Sequence, residues 1–281
     1  MNGAQPRRPL GIGETLGGAF GLYIGNAVSL WKIVACVVVP VSLLNQILIA
    51  VSLPSTAFVH NGLLYTPTGQ LGIPTGVVVA SLALTVVALL IAGGAVAISL
   101  VDAYVRQPLH WTASIRAAGR RFGSLLWLSL LWTVLVFLGF AALIVPGIFL
   151  LVAWSVSVPA LMFEGISAFK SLGRSFDLVR GRWFATLAAL FVAILSLGVV
   201  TYVVQLLLGA IAKGLKVDSI GLWFGFNWLG SLFSELVTYP FISAVIAVIY
   251  IDLRVRKEGL DVGTLASGSR EPDSTAVAAS G

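Results

Sequence analysis

A single cysteine, Cys36, and two histidines, His60 and His110, are all this chain offers a soft or borderline metal. One cysteine excludes an intrachain disulfide and a thiolate cluster. The topology derived below puts the two histidines on opposite sides of a membrane, so no histidine pair can form within one subunit. Zinc, haem-type and Cys/His catalytic chemistry are therefore not expected, and no cofactor is implied. Gly11-Ile-Gly13 begins a G-x-G sequence, but Leu16 stands where the third glycine would be and no strand precedes it. A dinucleotide fingerprint is rejected.

Charge is the larger absence. Only 10% of residues are charged, against 58% hydrophobic, and mean hydropathy is +1.02. Lysine and arginine are missing between Lys32 and Arg106 and again between Arg121 and Lys170. A soluble surface needs charge throughout, so these gaps exclude an ordinary soluble domain and predict a polytopic membrane protein.

A helix crosses the hydrocarbon core with about 20 apolar residues. Six stretches qualify: about 27–53, 76–101, 123–145, 147–163, 184–210 and 230–252. The expected fold is an all-α, six-helix transmembrane bundle. Residues 1–10 form an N-terminal cytoplasmic segment, 11–258 the membrane domain, and 259–281 a small, polar, disordered tail. Residues 1–26 are too glycine-rich for a cleavable signal core, so the first span is expected to remain. The third and fourth spans meet at Val145-Pro146-Gly147 and must be antiparallel neighbours. Pro159 should interrupt the short fourth span, which requires a neighbour to satisfy the freed backbone.

With the amino terminus inside, fifteen basic residues fall on the inner side and two, Lys213 and Lys216, on the outer. That asymmetry fixes both termini in the cytoplasm. The net charge of +6 then lies along a membrane face. It fits anionic inner-leaflet lipid better than nucleic acid, which is not an expected partner.

Residues 16–25, LGGAFGLYIG, and 172–181, LGRSFDLVRG, share L-G-x-x-F-x-L-x-x-G, and Gly119–Phe122 retains its G-x-x-F part. Each precedes an odd-numbered span. The chain thus parses into three units, each an interfacial amphipathic helix followed by a transmembrane hairpin. In the third copy Ile166, Phe169, Leu172, Phe176 and Val179 form an apolar stripe, with Ser167, Lys170, Ser171, Arg174, Asp177 and Arg180 opposite. Such a helix lies flat, its cations among phosphates. Arg116, Arg120, Arg121, Lys170, Arg174, Arg180 and Arg182 are the candidate headgroup contacts. In the first copy Gly13, Gly17, Gly21 and Gly25 line one ridge, for which packing within the chain is favoured over self-association.

The acids divide into two groups. Asp102 with Arg106, and Asp252 with Arg256, have the i,i+4 spacing of local ion pairs. Glu164 closes the fourth span and should pair with Arg174 or with an arginine of another unit. Glu235 is expected near the outer boundary, hydrated beside the aromatic belt Trp223, Phe224, Phe226 and Trp228. Asn45, Gln46 and Gln205 lie toward the same side and, with Glu235, are the candidates for an outer polar cavity. A closed apolar bundle beneath Glu235 is the favoured alternative.

The stretch from Pro146 to Trp183 resembles the membrane-domain family of glycerophosphoryl diester phosphodiesterases. The matching positions are Pro146-Gly147, Trp154, Pro159, Glu164, Leu172, Arg174-Ser175, Leu178, Gly181 and Trp183. The opening RPLGIGETLGGAFGLY and the closing YIDLRVRKEGLD also look like standalone members. A basic residue that members often carry near Ala153 is absent. The resemblance implies a membrane module without the separate catalytic barrel, hence without the hydrolase activity.

Three functions follow as expectations. The first is a non-enzymatic membrane module that organises lipid, a protein partner or a second copy of itself. The second is a permease or exporter component for a small or lipid-derived solute. The third, an intramembrane enzyme, lacks a nameable acid/base pair.

Overall fold

The computed structural model describes residues 12–60, 63–65, 73–104 and 111–259. Among them the elements in chain order are α1 (Ile12–Ser52), β1 (Phe58–His60), β2 (Leu63–Tyr65), α2 (Thr75–Tyr104), α3 (Trp111–Arg120), α4 (Phe122–Ala142), α5 (Ile144–Ala153), α6 (Ser157–Glu164), α7 (Ala168–Val179), α8 (Trp183–Gly214) and α9 (Ile220–Glu258). Six segments are long and apolar enough to cross a membrane, with α5 and α6 together forming the fourth. The chain is an all-α polytopic membrane protein. The segments 1–10 and 260–281 lie outside the described residues.

Helix α9 is the axis. Its inner half, from Ala244 to Leu253, is almost wholly buried, although an ordinary membrane helix shows one side to lipid. α1 runs antiparallel beside it. The indole N–H of Trp228 donates to Ser42 Oγ at 3.1 Å, and Phe241 packs edge-on against Tyr23 at 5.8 Å. α8 follows the other side, with Gln205 against Gly230 and Thr201 Oγ1 3.4 Å from Thr238 Oγ1. Between α1 and α2, β1 and β2 form a short antiparallel hairpin. His60 Nδ1 lies 3.6 Å from Asp218 Oδ1, so this hairpin meets the α8–α9 turn.

Three local expectations change. The first copy of the repeat is not a separate interfacial helix: α1 continues without a break from Ile12 to Ser52. The reason is Asn26, whose amide N–H₂ donates to the Leu22 carbonyl at 2.9 Å; a residue that often ends helices here bonds back along one. Among the described residues, a Cβ built at Gly13, Gly17, Gly21 or Gly25 of its glycine ridge meets no atom within 4 Å.

The fourth span is interrupted at Trp154–Val156, between α5 and α6, not at Pro159. Pro159 is the third residue of α6, in the first turn, where a missing N–H costs little. The break leaves the Ala153 carbonyl without a helical partner, and Ser175 of α7 donates its hydroxyl to it at 2.8 Å. Likewise the α4–α5 turn is the single extended residue Leu143 (φ −166°) rather than Pro146-Gly147. The two helices are antiparallel neighbours, touching where a Cβ on Gly139 would stand 3.1 Å from Gly147 Cα. Phe149 of α5 stacks on Trp183 with ring centroids 5.8 Å apart, and the Trp183 N–H reaches the Phe149 carbonyl at 3.2 Å. Trp183 begins α8, so this contact ties α5 to the start of α8.

α7 docks with a different face from the one its hydropathy predicts. Ala168, Ser171, Leu172, Ser175, Leu178 and Val179 are buried, while Phe169 is 73% exposed. The docked face is turned by roughly a quarter of the helix circumference from the apolar stripe. Small side chains allow the close approach, and their hydroxyls are satisfied: Ser171 Oγ donates to the Ala168 carbonyl at 2.7 Å.

Candidate functional site

Two groups of polar side chains stand out. The first centres on Glu164, the last residue of α6. Gly165 follows at φ 67° and ends the helix; that left-handed conformation suits glycine. Arg121 closes the same terminus, donating from Nη1 to the Leu161 carbonyl at 3.0 Å. A Cβ on Gly165 would stand 3.1 Å from Arg121 Nη2, so glycine is needed here for space as well.

Glu164 receives Arg174 Nε on both carboxylate oxygens, at 2.9 and 2.8 Å, and the Tyr250 hydroxyl on Oε1 at 2.9 Å. Arg254 Nε lies 3.7 Å from that same oxygen. Both arginines also meet Glu258: Arg174 through Nη2, and Arg254 through the same Nε at 3.0 Å. Arg254 also donates from Nη1 to the Tyr250 hydroxyl at 3.2 Å, and Lys257 donates to the Asp177 carbonyl. The four charged side chains retain only 16–28% exposure. Burial alone would lower the Arg174 pKa; the two carboxylates outweigh it and raise it above the ordinary arginine value. Charge within this group balances, and its carboxylates are already engaged by guanidinium or phenol. Chemically it is a clamp joining α6, α7 and α9, not an open acid/base pair.

The pair expected between Glu164 and Arg174 is thus present, with Arg254 from another unit added. Tyr250 and Glu258 were not singled out from the sequence. They lie four residues before and four after Arg254 on α9, a helical stripe that could have revealed them. Asp252 accepts from Arg256 Nε at 2.7 Å. Arg106, the partner expected for Asp102, lies outside the described residues.

The seven candidate headgroup cations separate. Arg174 and Arg121 are committed inside the fold, a correction to their expected role. Arg182 is half-buried and, with Thr15, Thr186 and Asp252, lines a cavity of about 30 Å³, room for a water. Arg116, Arg120, Lys170 and Arg180 are exposed on and beside α3 and α7. Close to Lys170 and Arg180 in the chain, Phe169 and Phe184, 73% and 80% exposed, present large apolar side chains.

The four polar candidates have different surroundings. Asn45 donates from Nδ2 to Thr85 Oγ1 at 2.9 Å, and Thr85 donates to the Ser81 carbonyl at 2.8 Å. Gln205 lies against Gly230 of α9. Gln46 is half-buried. Glu235 is half-buried as well, with its Oε2 buried. That atom, Asn45 Oδ1, Ser81 Oγ and Ser234 Oγ are buried without a hydrogen-bond partner among the described residues.

No protein-family model, no curated protein and no solved structure matches the chain.

Proposed function

We propose that this chain is a non-enzymatic multi-pass module of the cell membrane, both termini cytoplasmic, whose inner face gathers anionic lipid and so organises the bilayer or a protein docked there. The observation that carries the proposal is the pairing of exposed cations with exposed aromatics around α7, where Lys170 follows Phe169 and Arg180 lies four residues before Phe184, together with exposed Arg116 and Arg120 on α3. Cations at headgroup level with aromatic and aliphatic anchors just beneath are what an anionic interface binds. The resemblance to the membrane-domain family of glycerophosphoryl diester phosphodiesterases fits a module of this kind and carries no implication of hydrolysis.

Lipid binding by the purified protein tests it. Each basic side chain near an anionic surface contributes about 1 kcal/mol. Lys170→Gln with Arg180→Gln should therefore weaken binding of anionic lipid by about thirtyfold, and rising salt should weaken the parent protein similarly. Equal retention of anionic and zwitterionic lipid, insensitive to both changes, would refute the proposal.

A second reading, a permease or exporter component, is favoured by one observation: the buried, unpartnered carboxylate oxygen of Glu235. Intramembrane acids most often mark a pathway for a cation or substrate.

A further inference from the structure

We propose that the end of the bundle where α1 begins and α9 finishes holds one anionic phospholipid in a defined site, its phosphate on Arg182. The inference rests on the lipid-gathering reading above and names the residue and the lipid class of a single tight site within it.

Two cavities share a wall there. The smaller, about 30 Å³, lies between three helices, with Thr15 of α1, Thr186 of α8 and Asp252 of α9 in its lining. The larger is an open depression of about 530 Å³ at the α7–α8 turn, lined by residues 181–185. Arg182 and Ala185 line both. The open depression has the size of a ligand site. The inner cavity admits only a group about as large as a hydroxyl.

Charge selects the ligand. Asp252 is met by Arg256 Nε at 2.7 Å, whereas Arg182 has no ion pair among the described residues. Arg182 is also the one charged residue among those lining the open depression. A half-buried guanidinium calls for one negative charge, and its planar fork of N–H donors suits phosphate oxygens. Thr15 and Thr186, 6% and 3% exposed, give the inner cavity a polar lining. A hydroxyl-bearing headgroup fits there. A trimethylammonium is too large and would restore the uncompensated positive charge.

The aromatic neighbours point to lipid rather than free phosphate as the source. α8 enters its apolar, membrane-length run at Trp183, so Arg182 stands where headgroups begin. Trp183 is held by Phe149, ring centroids 5.8 Å apart, which fixes part of the lining. Phe184 meets Trp183 edge-on at 5.0 Å and is 80% exposed, an apolar surface for the first methylenes of an acyl chain. A free phosphate would gain nothing from that surface.

Native mass spectrometry of the full chain released from micelles counts the phosphatidylglycerol or phosphatidylcholine bound at low and high salt. One phosphatidylglycerol per chain should persist at high salt, because a half-buried contact is screened less than the exposed cations; phosphatidylcholine should not. Arg182→Gln should weaken that lipid about tenfold or more and Thr186→Val about fivefold. Lys170→Gln with Arg180→Gln should strip the salt-sensitive lipids and leave the resistant one in place. Excess inorganic phosphate should not displace it. Retention of the resistant lipid in Arg182→Gln, or its displacement by inorganic phosphate, would overturn the proposal. Salt-sensitive binding with no resistant lipid would sink this site and leave the broader reading standing, whereas a resistant lipid alone would do the reverse. Should Arg182→Gln fail to fold, unchanged affinity in Thr186→Val overturns the site equally.

Discussion

Glu164→Ala is expected to destabilise the protein by about 3 kcal/mol, the range for breaking a largely buried charge pair by removing one partner. The loss is large because Glu164 has three polar neighbours. Arg174 would lose the carboxylate that its Nε–H shares between two oxygens, Tyr250 its acceptor, and Arg254 a nearby countercharge. Glu164→Gln should fall between, since an amide oxygen still accepts from Tyr250 but carries no charge. Reversible unfolding in mixed micelles measures both. A coupling between Glu164→Ala and Arg174→Ala of about 1–3 kcal/mol is expected for side chains in direct contact. A loss under about 1 kcal/mol would place the cluster with ordinary surface ion pairs.

Gly94→Leu should cost about 3 kcal/mol or more, at the upper end for overpacking. A Cβ at Gly94 would already stand 2.9 Å from Leu125 Cδ1 and 3.3 Å from Ala118 Cβ. Leu125 and Ala118 belong to different helices, α4 and α3, so relief on one side presses on the other. Neighbouring Gly93 has the same role toward α9, where its Cβ would approach Tyr239 Oη to 2.7 Å. Thermal midpoints in detergent check the contrast with Gly21→Ala, which meets nothing and should be neutral. Comparable losses in the two variants would contradict the packing described.

How much of this could be read from residues alone depended on the range of the interaction. Hydropathy gives the six spans, because lipid selects apolar runs regardless of neighbours. The Glu164–Arg174 pair was legible too, since the two lie ten residues apart across one turn. Tyr250, Arg254 and Glu258 share a local i,i+4 stripe, but that stripe reaches Arg174 and Glu164 from 84 and 86 residues away, a pairing that sequence spacing does not encode. The docked face of α7 escaped for another reason. Hydropathy points to Phe169, whereas packing uses Ala168, Ser171 and Ser175, whose small size counts only when a partner helix is known. Asn45 and Glu235 were legible as polar interruptions of their spans. Thr85 was not, because an isolated hydroxyl in a membrane helix commonly bonds back to the preceding turn, as Thr85 does to the Ser81 carbonyl.

The orientation of the cationic face is the premise on which lipid binding stands. In intact cells, with native Cys36 replaced by Ala, an impermeant thiol reagent can be tested against Ser55→Cys and Thr112→Cys. Ser55 is exposed beside the outer hairpin and Thr112 is exposed at the start of α3. Labelling of Ser55→Cys from outside, and of Thr112→Cys only after permeabilisation, is the predicted result. Outside labelling of Thr112→Cys with protection of Ser55→Cys would turn Arg116, Arg120, Lys170 and Arg180 to the outer surface and contradict the account.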